Sequence, residues 1–110
     1  MWVVRMLPEA QAEFLALPAQ EGAAMDSALR KLAVDGSSLG APHSSSIVGV
    51  GGTLRELRPR QGRSRWRAFC RRVGDELVIA AIGPEASVDR RGFDRAMRVA
   101  IGRLAGESAT

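Results

Sequence analysis

The sequence has little of several residue types on which small proteins commonly rely. Its 110 residues include one cysteine (Cys70), one histidine (His43), one lysine (Lys31) and no tyrosine. Because a disulfide needs two thiols, a single cysteine excludes an intramolecular disulfide. A chain without disulfides is typical of a reducing compartment. No apolar run approaches the roughly 20 residues of a membrane span, and no secretory signal is recognisable at the amino terminus. These absences predict a cytoplasmic protein that does not contact a membrane.

Positive charge is concentrated in one block of the chain. The whole chain has a net charge of +4, whereas residues 55–72 carry eight arginines and one acid, Glu56, for a net charge of +7. The segments before and after this block carry −2 and −1. Arginine binds phosphate through two parallel hydrogen bonds, where lysine acts as a point charge. The block therefore predicts a polyanionic partner.

The hydrophobic pattern predicts an α+β fold, one compact domain with the element order β-α-α-β-β-β-α and an antiparallel meander packed by helices. The predicted elements lie at 2–6, 8–17, 20–34, 53–58, 65–73, 76–83 and 89–105. The loop at 36–52 is expected to hold one short extended piece at 46–50. Residues 1–105 form the predicted domain, and 106–110 a frayed tail.

The strand predicted at 65–73 alternates between two kinds of side chain. One face is expected to be apolar, with Trp66, Ala68 and Cys70, and the other is expected to be mostly arginine. Phe69 and Trp66 are interpreted as core residues, with stacking on RNA bases as the alternative. The hairpin as a whole is then predicted to present its arginines on one exposed surface that binds the backbone of a nucleic acid.

Several short segments carry a resemblance to a known family. They are LGAPH (39–43), GVGG (49–52), LRELRP (54–59), GRSRWRAF (62–69), LVIAAIG (77–83) and FDRAMRVAIGRL (93–104). In this order they resemble the RelE/ParE superfamily of bacterial type II toxins, and within it the HigB-like, phage-derived branch. The resemblance covers nearly the full chain. It implies a toxin that enters the ribosomal A site, cleaves mRNA and is neutralised by a small antitoxin, often one with a helix-turn-helix domain.

The family pattern is only partly present. Arg58 matches the arginine of the ELR motif, and Arg67 matches the arginine of the next strand. The lysines that nucleolytic relatives carry near ELR are absent at 54–56, and their tyrosine/histidine cluster is absent at 83–89. The ParE group of the same superfamily inhibits DNA gyrase without cutting RNA. The resemblance therefore leaves both modes of action open.

Cleavage of RNA by its own 2′-hydroxyl needs a base, a group that stabilises the charged phosphorane, and an acid. Arginine supplies the second function but not the others, because its pKa lies above about 12. The predicted catalytic residues are therefore Arg58 and Arg67 with His43 and Glu56 as proton-transfer groups. The alternative for His43 is a loop histidine bonded to backbone, and for Glu56 a structural ion pair with Arg58 or Arg67. The predicted RNA-binding residues are Arg55, Arg60, Arg63, Arg65 and Arg71.

Three functions remain open on this evidence. The first is a toxin that cleaves ribosome-bound mRNA without a metal ion or cofactor. The second is a toxin of the ParE kind that acts on a protein such as gyrase, and the third is an RNA-binding module without catalytic activity. The first two predict a cognate antitoxin, with an acidic segment that covers residues 55–72.

Overall fold

The computed structural model describes residues 1–47 and 54–107, in which five strands and three α-helices are found. The strands are β1 (Val3–Met6), β2 (Ser44–Ser46), β3 (Arg55–Leu57), β4 (Trp66–Val73) and β5 (Glu76–Pro84). The helices are α1 (Pro8–Leu15), α2 (Ala19–Asp35) and α3 (Arg90–Ala105), with short 3-10 turns at Gly36–Ser38 and Pro59–Gly62. No helix in these ranges is long and apolar enough to cross a membrane.

All five strands form one sheet, in the order β1-β5-β4-β3-β2. β1 runs parallel to β5, and every other neighbouring pair is antiparallel. The predicted α+β class and the antiparallel meander of β3, β4 and β5 are therefore confirmed. One strand is additional: β2 lies at Ser44–Ser46, slightly before the extended piece expected at 46–50, and residues 48–53 lie outside the described residues.

The ends of the three helices lie within two residues of the predicted ones, and the largest difference is at the end of α1, which was predicted at 17 and lies at Leu15. Pro8 occupies the first turn of α1, where its missing N–H is not needed. α2 ends at Gly36, whose φ of 58° is left-handed, and a Cβ at that position would overlap the indole of Trp2. The side chain of Asp89 caps α3 by accepting a hydrogen bond from the Gly92 N–H at 2.9 Å.

The two faces of the sheet are covered by different helices. α3 packs on one face, where Phe93 contacts Phe69 edge-to-face with ring centroids 5.2 Å apart. α2 covers the other face, where Leu32 lines a cavity together with Cys70 and Leu77. Phe69 and Cys70 are both buried, as predicted for core residues. The sheet therefore has a core on each side.

The carboxyl-terminal segment continues past α3 in contact with the domain. Glu107 belongs to the tail that the sequence predicts to be frayed. Its carboxylate lies 2.9 Å from Arg5 Nη2, and its backbone N–H donates to the carbonyl of Leu104. Residues 108–110 lie outside the described residues.

The thiol of Cys70 is expected to be unreactive in the native protein. Burial raises its pKa to about 12, against an ordinary value of 9.0, so the thiolate fraction at neutral pH falls roughly a thousandfold. We expect a disulfide reagent such as Ellman's reagent to leave the native protein unmodified over hours and to titrate one thiol at once in concentrated urea. Rapid reaction of the native protein would contradict the buried placement.

Candidate functional site

Three of the four predicted catalytic residues lie together where β2 and β3 pair. Ser44 pairs with Leu57, and the backbone N–H of Arg58 donates to the carbonyl of His43 at 2.8 Å, which continues the same register. Residues opposite each other in an antiparallel pair have Cβ atoms about 4.5–5.5 Å apart. His43 in the loop and Arg58, the arginine of ELR, are therefore neighbours.

Glu56 forms the ion pair that was one of its two predicted roles. Its Oε1 lies 3.7 Å from Nε of Arg58 and accepts a hydrogen bond from the Ser45 hydroxyl at 3.2 Å. Nε of Arg58 is buried and has no hydrogen-bond partner among residues 1–47 and 54–107. The guanidinium of Arg58 is thus held by its ion pair with Glu56 and not by hydrogen bonds within the described part of the chain. Its N–H groups therefore remain available to bind another anion.

An open groove, here called the α2 groove, lies between α2 and the end of β3. It has a volume of about 580 Å³, within the range of small-ligand sites. Its lining residues are Gln20, Ala23, Ala24, Ser27, Ala28, Lys31, Leu39, His43, Leu57, Arg58, Arg60 and Gln61. Four of these are basic or imidazole side chains and none is acidic, so the groove favours an anionic ligand.

The turn from Pro59 to Arg65, here called the arginine turn, forms one wall of the α2 groove. Arg60 and Gln61 have φ angles of 56° and 58°, a left-handed conformation that is uncommon for residues other than glycine. Glu21 at the start of α2 holds this turn, with Arg60 Nη1 at 3.4 Å and Ser64 Oγ at 3.0 Å. The strained backbone is therefore fixed against α2.

Arg67 does not lie on an exposed arginine face, and this expectation was wrong. Its side chain is 2% exposed and donates to the carbonyls of Ser64 at 2.7 Å, Trp66 at 3.0 Å and Gly62 at 3.1 Å. Nη2 also lies 3.6 Å from Glu85. Burial lowers the pKa of the Arg67 guanidinium, which the nearby carboxylates oppose. Arg67 therefore stabilises the arginine turn from the protein interior, by hydrogen bonds to the carbonyls of that turn.

Arg55 is also committed to the protein's own structure. It donates to Ser44 Oγ at 3.1 Å, Ser46 Oγ at 2.7 Å and the Leu39 carbonyl at 3.2 Å, and so holds β2 and the preceding loop together. On the same side of the sheet, Arg72 lies over the ring of Trp2, 5.1 Å from its centroid. These cations are on the face that α2 covers.

The predicted single arginine surface is therefore wrong for the hairpin as a whole. β4 is a central strand between β3 and β5, and its residues from Arg67 to Cys70 are buried whichever face of the sheet they lie on. Arg71 is half-buried, and its Nε has no hydrogen-bond partner among the described residues. Among residues 55–72, the exposed arginines are Arg60, Arg63 and Arg65 of the arginine turn and Arg72 near the other end of β4.

The sequence did not reveal the acidic and polar residues that organise the site. Glu21 and Glu85 hold the arginine turn, yet they lie far from it along the chain, and no local pattern marks them. A hydrogen bond from the Ser87 hydroxyl, helped by Arg67, lowers the pKa of Glu85, so this carboxylate stays charged. Within residues 1–47 and 54–107, no group of three or more His, Cys, Asp or Glu side chains is placed so that it could hold a metal ion.

The fold and the arginine turn define a small α+β domain built around a central arginine-bearing strand. The chain matches the family described as Phage derived protein Gp49-like (DUF891) over residues 12–83, about two thirds of its length, and it belongs to that family. This family is toxin-like and related to RelE/ParE. No curated protein matches the chain. The predicted relation to RelE/ParE is confirmed at this level, and the HigB-like branch stays a prediction.

Proposed function

We propose that the protein is the toxin of a bacterial type II toxin–antitoxin pair, and that it inhibits translation by cleaving mRNA on the ribosome. The observation that carries this proposal is the placement of His43 opposite Arg58 beside the α2 groove. The toxin-like family supports the toxin part of the proposal. The groove supports RNA as the substrate because it combines a proton-transfer group with guanidinium groups.

The proposed reaction is attack of an RNA 2′-oxygen on the adjacent phosphorus. The P–O5′ bond breaks, which leaves a 2′,3′-cyclic phosphate on one fragment and a 5′-hydroxyl on the other. His43 is the proposed base that removes the proton of the 2′-hydroxyl, since imidazole is suited to proton transfer near neutral pH. Water or a ribosomal group protonates the departing oxygen. Arg58 stabilises the charge that develops on the phosphorane oxygens.

The other predicted residues take supporting roles in this proposal. Glu56 orients the guanidinium of Arg58 through their ion pair. Arg67 is a positioning residue, because its buried guanidinium bonds the carbonyls of the arginine turn and is not open to RNA. The proposed phosphate contacts narrow to Arg60, Arg63 and Arg65, the exposed members of the turn.

The proposed partner is a cognate antitoxin with an acidic segment. The exposed cations of the arginine turn and of the α2 groove favour an acidic chain that covers both and competes with RNA. A helix-turn-helix DNA-binding domain in that antitoxin remains a prediction from the resemblance. It can be checked directly by reading the open reading frame next to the one that encodes this chain.

Inducible expression of the wild-type protein tests the proposal in cells. We expect growth to stop and new mRNA 5′ ends to appear within codons of translated genes, since the proposed substrate is mRNA on the ribosome. Arg58→Ala should relieve both effects. Arg30→Ala is the matched control, because Arg30 is exposed on α2 and pairs only with Asp26 in the described part of the chain.

Other outcomes of this experiment identify the alternatives. Growth arrest with intact mRNA and a DNA damage response would overturn the ribonuclease and favour a gyrase-directed toxin. RNA binding without growth arrest would overturn the toxin and favour an RNA-binding module. Relief by Arg30→Ala to the same extent as Arg58→Ala would contradict the placement of the site.

A further inference from the structure

A second groove, here called the α3 groove, lies between α3 and the adjoining ends of β4 and β5. It has a volume of about 640 Å³. Its lining residues are Glu13, Arg65, Trp66, Ala81, Ile82, Gly83, Pro84, Val88, Asp89, Gly92, Arg95, Ala96, Val99 and Arg103. Of these residues, only Arg65 has a role in the proposed cleavage, so that reaction does not explain the rest of the groove.

The acids of the α3 groove are already occupied by the protein. Asp89 caps α3 through the Gly92 N–H, as described above. Glu13 forms two bonds with Arg103, at 3.1 Å and 2.9 Å, and accepts the Ile82 N–H at 2.9 Å. The positive charges that remain are Arg65 and Arg95, both exposed and both without an ion pair among residues 1–47 and 54–107.

The charge of Arg95 continues along the outer face of α3. Arg91 and Arg98 are also exposed, and they lie within about 60° of Arg95 around the helix axis and about 10 Å apart along it. Arg90 differs, because it pairs with Asp94 at 3.3 Å. The groove and the adjoining helix face therefore form one cationic surface.

Trp66 gives the α3 groove an aromatic wall. Its side chain is only half-buried, whereas Phe69 on the same strand is fully buried. Guanidinium groups beside an accessible aromatic face are what single-stranded nucleic acid binds, since phosphates pair with the cations and bases stack on the ring. Stacking does not require a particular base sequence.

The arginine turn connects the two grooves. Arg60 lines the α2 groove and Arg65 lines the α3 groove, and their Cα atoms, five positions apart in the chain, are at most about 17 Å from each other. Arg63 is exposed between them and donates from Nε to the Arg60 carbonyl at 3.3 Å. A single RNA strand that crosses the turn can occupy both grooves.

We propose that the α3 groove binds a segment of single-stranded RNA that flanks the cleaved bond, with Trp66 stacked on a base and Arg65 and Arg95 on phosphates. This inference rests on the proposed function, since the scissile phosphate is placed in the α2 groove. The bound RNA then extends across the arginine turn. The α3 groove binds RNA through the charge of its phosphates and the stacking of its bases, and it does not recognise a particular base sequence.

The test measures binding of non-cleavable 2′-O-methyl RNA of two lengths, a trinucleotide and a decanucleotide, to the full chain. We expect the wild type to bind the longer RNA at least about tenfold more tightly, because only that RNA spans both grooves. Arg65→Ala/Arg95→Ala should remove this gain, and Arg95→Ala alone should reduce it and leave trinucleotide binding unchanged. The matched control is Arg30→Ala/Arg90→Ala, which removes the same charge from two exposed ion pairs.

A second readout reports on Trp66 directly. The chain has two tryptophans, so Trp66 is the only one left in Trp2→Phe protein. We expect the decanucleotide to quench its fluorescence and the trinucleotide to leave it unchanged. Equal decanucleotide affinity in the double variant and its control, or unquenched fluorescence at saturation, would overturn the inference.

The two proposals fail separately. Because the RNA is non-cleavable, these measurements do not depend on catalysis. Cleavage of mRNA together with length-independent binding would overturn the α3 groove alone. Length-dependent binding that needs Arg65 and Arg95, without any cleavage of ribosome-bound mRNA, would support the groove and overturn the proposed ribonuclease.

Discussion

Replacing His43 by alanine is expected to slow cleavage of ribosome-bound mRNA by about 10²–10⁴-fold, the usual contribution of a general acid or base. His43 is the one histidine of the chain, and Arg58 beside it cannot give up a proton near neutral pH. The loss should appear in kcat, because the charges that bind RNA are unchanged. Single-turnover cleavage on purified ribosomes measures it.

The control for this variant is its own folding and RNA binding. His43 is half-buried, and the residue contacts Arg58 through its backbone carbonyl, which alanine retains. We expect the urea midpoint and the affinity for non-cleavable RNA to stay close to wild type. An His43→Ala protein that folds, binds and cleaves like wild type would exclude His43 as the base.

Arg67→Ala is expected to lower the free energy of unfolding by about 3–5 kcal/mol, as is usual when one partner of a buried charged network is removed. The substitution leaves the carbonyls of Gly62, Ser64 and Trp66 without their donor, and Glu85 without its cation. Urea unfolding followed by circular dichroism measures the change.

Two companion variants separate this network from a general effect of charge. Arg65→Ala removes the same charge two residues away at an exposed position, and should change stability by less than about 0.5 kcal/mol. Arg67→Lys should recover little, because lysine lacks the planar fork that reaches several carbonyls. An Arg67→Ala protein as stable as wild type would contradict the buried network. Loss of toxicity in this variant would reflect the fold as much as the chemistry.

The parts of the fold that follow local patterns were predictable. β5 was predicted to be covered on both faces from its unbroken apolar run, and the structure buries it from Leu77 to Gly83. α3 was predicted from apolar residues at helical spacing and from the cap Asp89. In both cases the pattern of one segment is sufficient, since neither depends on a distant residue.

The parts that depend on distant partners were not predictable. β2 consists of three serines, which have no preference for strands, and its position follows from pairing with β3. Arg67 is buried because the arginine turn supplies its carbonyls, and that turn rests on two non-glycine residues with positive φ. A charged residue is ordinarily expected to be exposed, and no sequence signal marked this exception.

For the site, the sequence predicted which residues lie together at the catalytic group, but it did not predict which arginines are exposed on a common surface. His43, Glu56 and Arg58 were predicted as a catalytic group and lie together, because the loop containing His43 returns along β3. The arginines of residues 55–72 were predicted to share one surface, and the two sides of the sheet divide them. The arginines that remain exposed are those of the arginine turn, which separates the α2 and α3 grooves, and Arg72 near the other end of β4.

Cleavage of a defined mRNA on purified ribosomes tests the ribonuclease proposal most directly, with the product ends identified by mass spectrometry. The proposal predicts two fragments, one ending in a 2′,3′-cyclic phosphate and the other beginning with a 5′-hydroxyl. A single 2′-deoxy substitution at the cleaved position should abolish the reaction. Intact mRNA with excess wild-type protein, or undiminished cleavage of the deoxy-substituted mRNA, would contradict it.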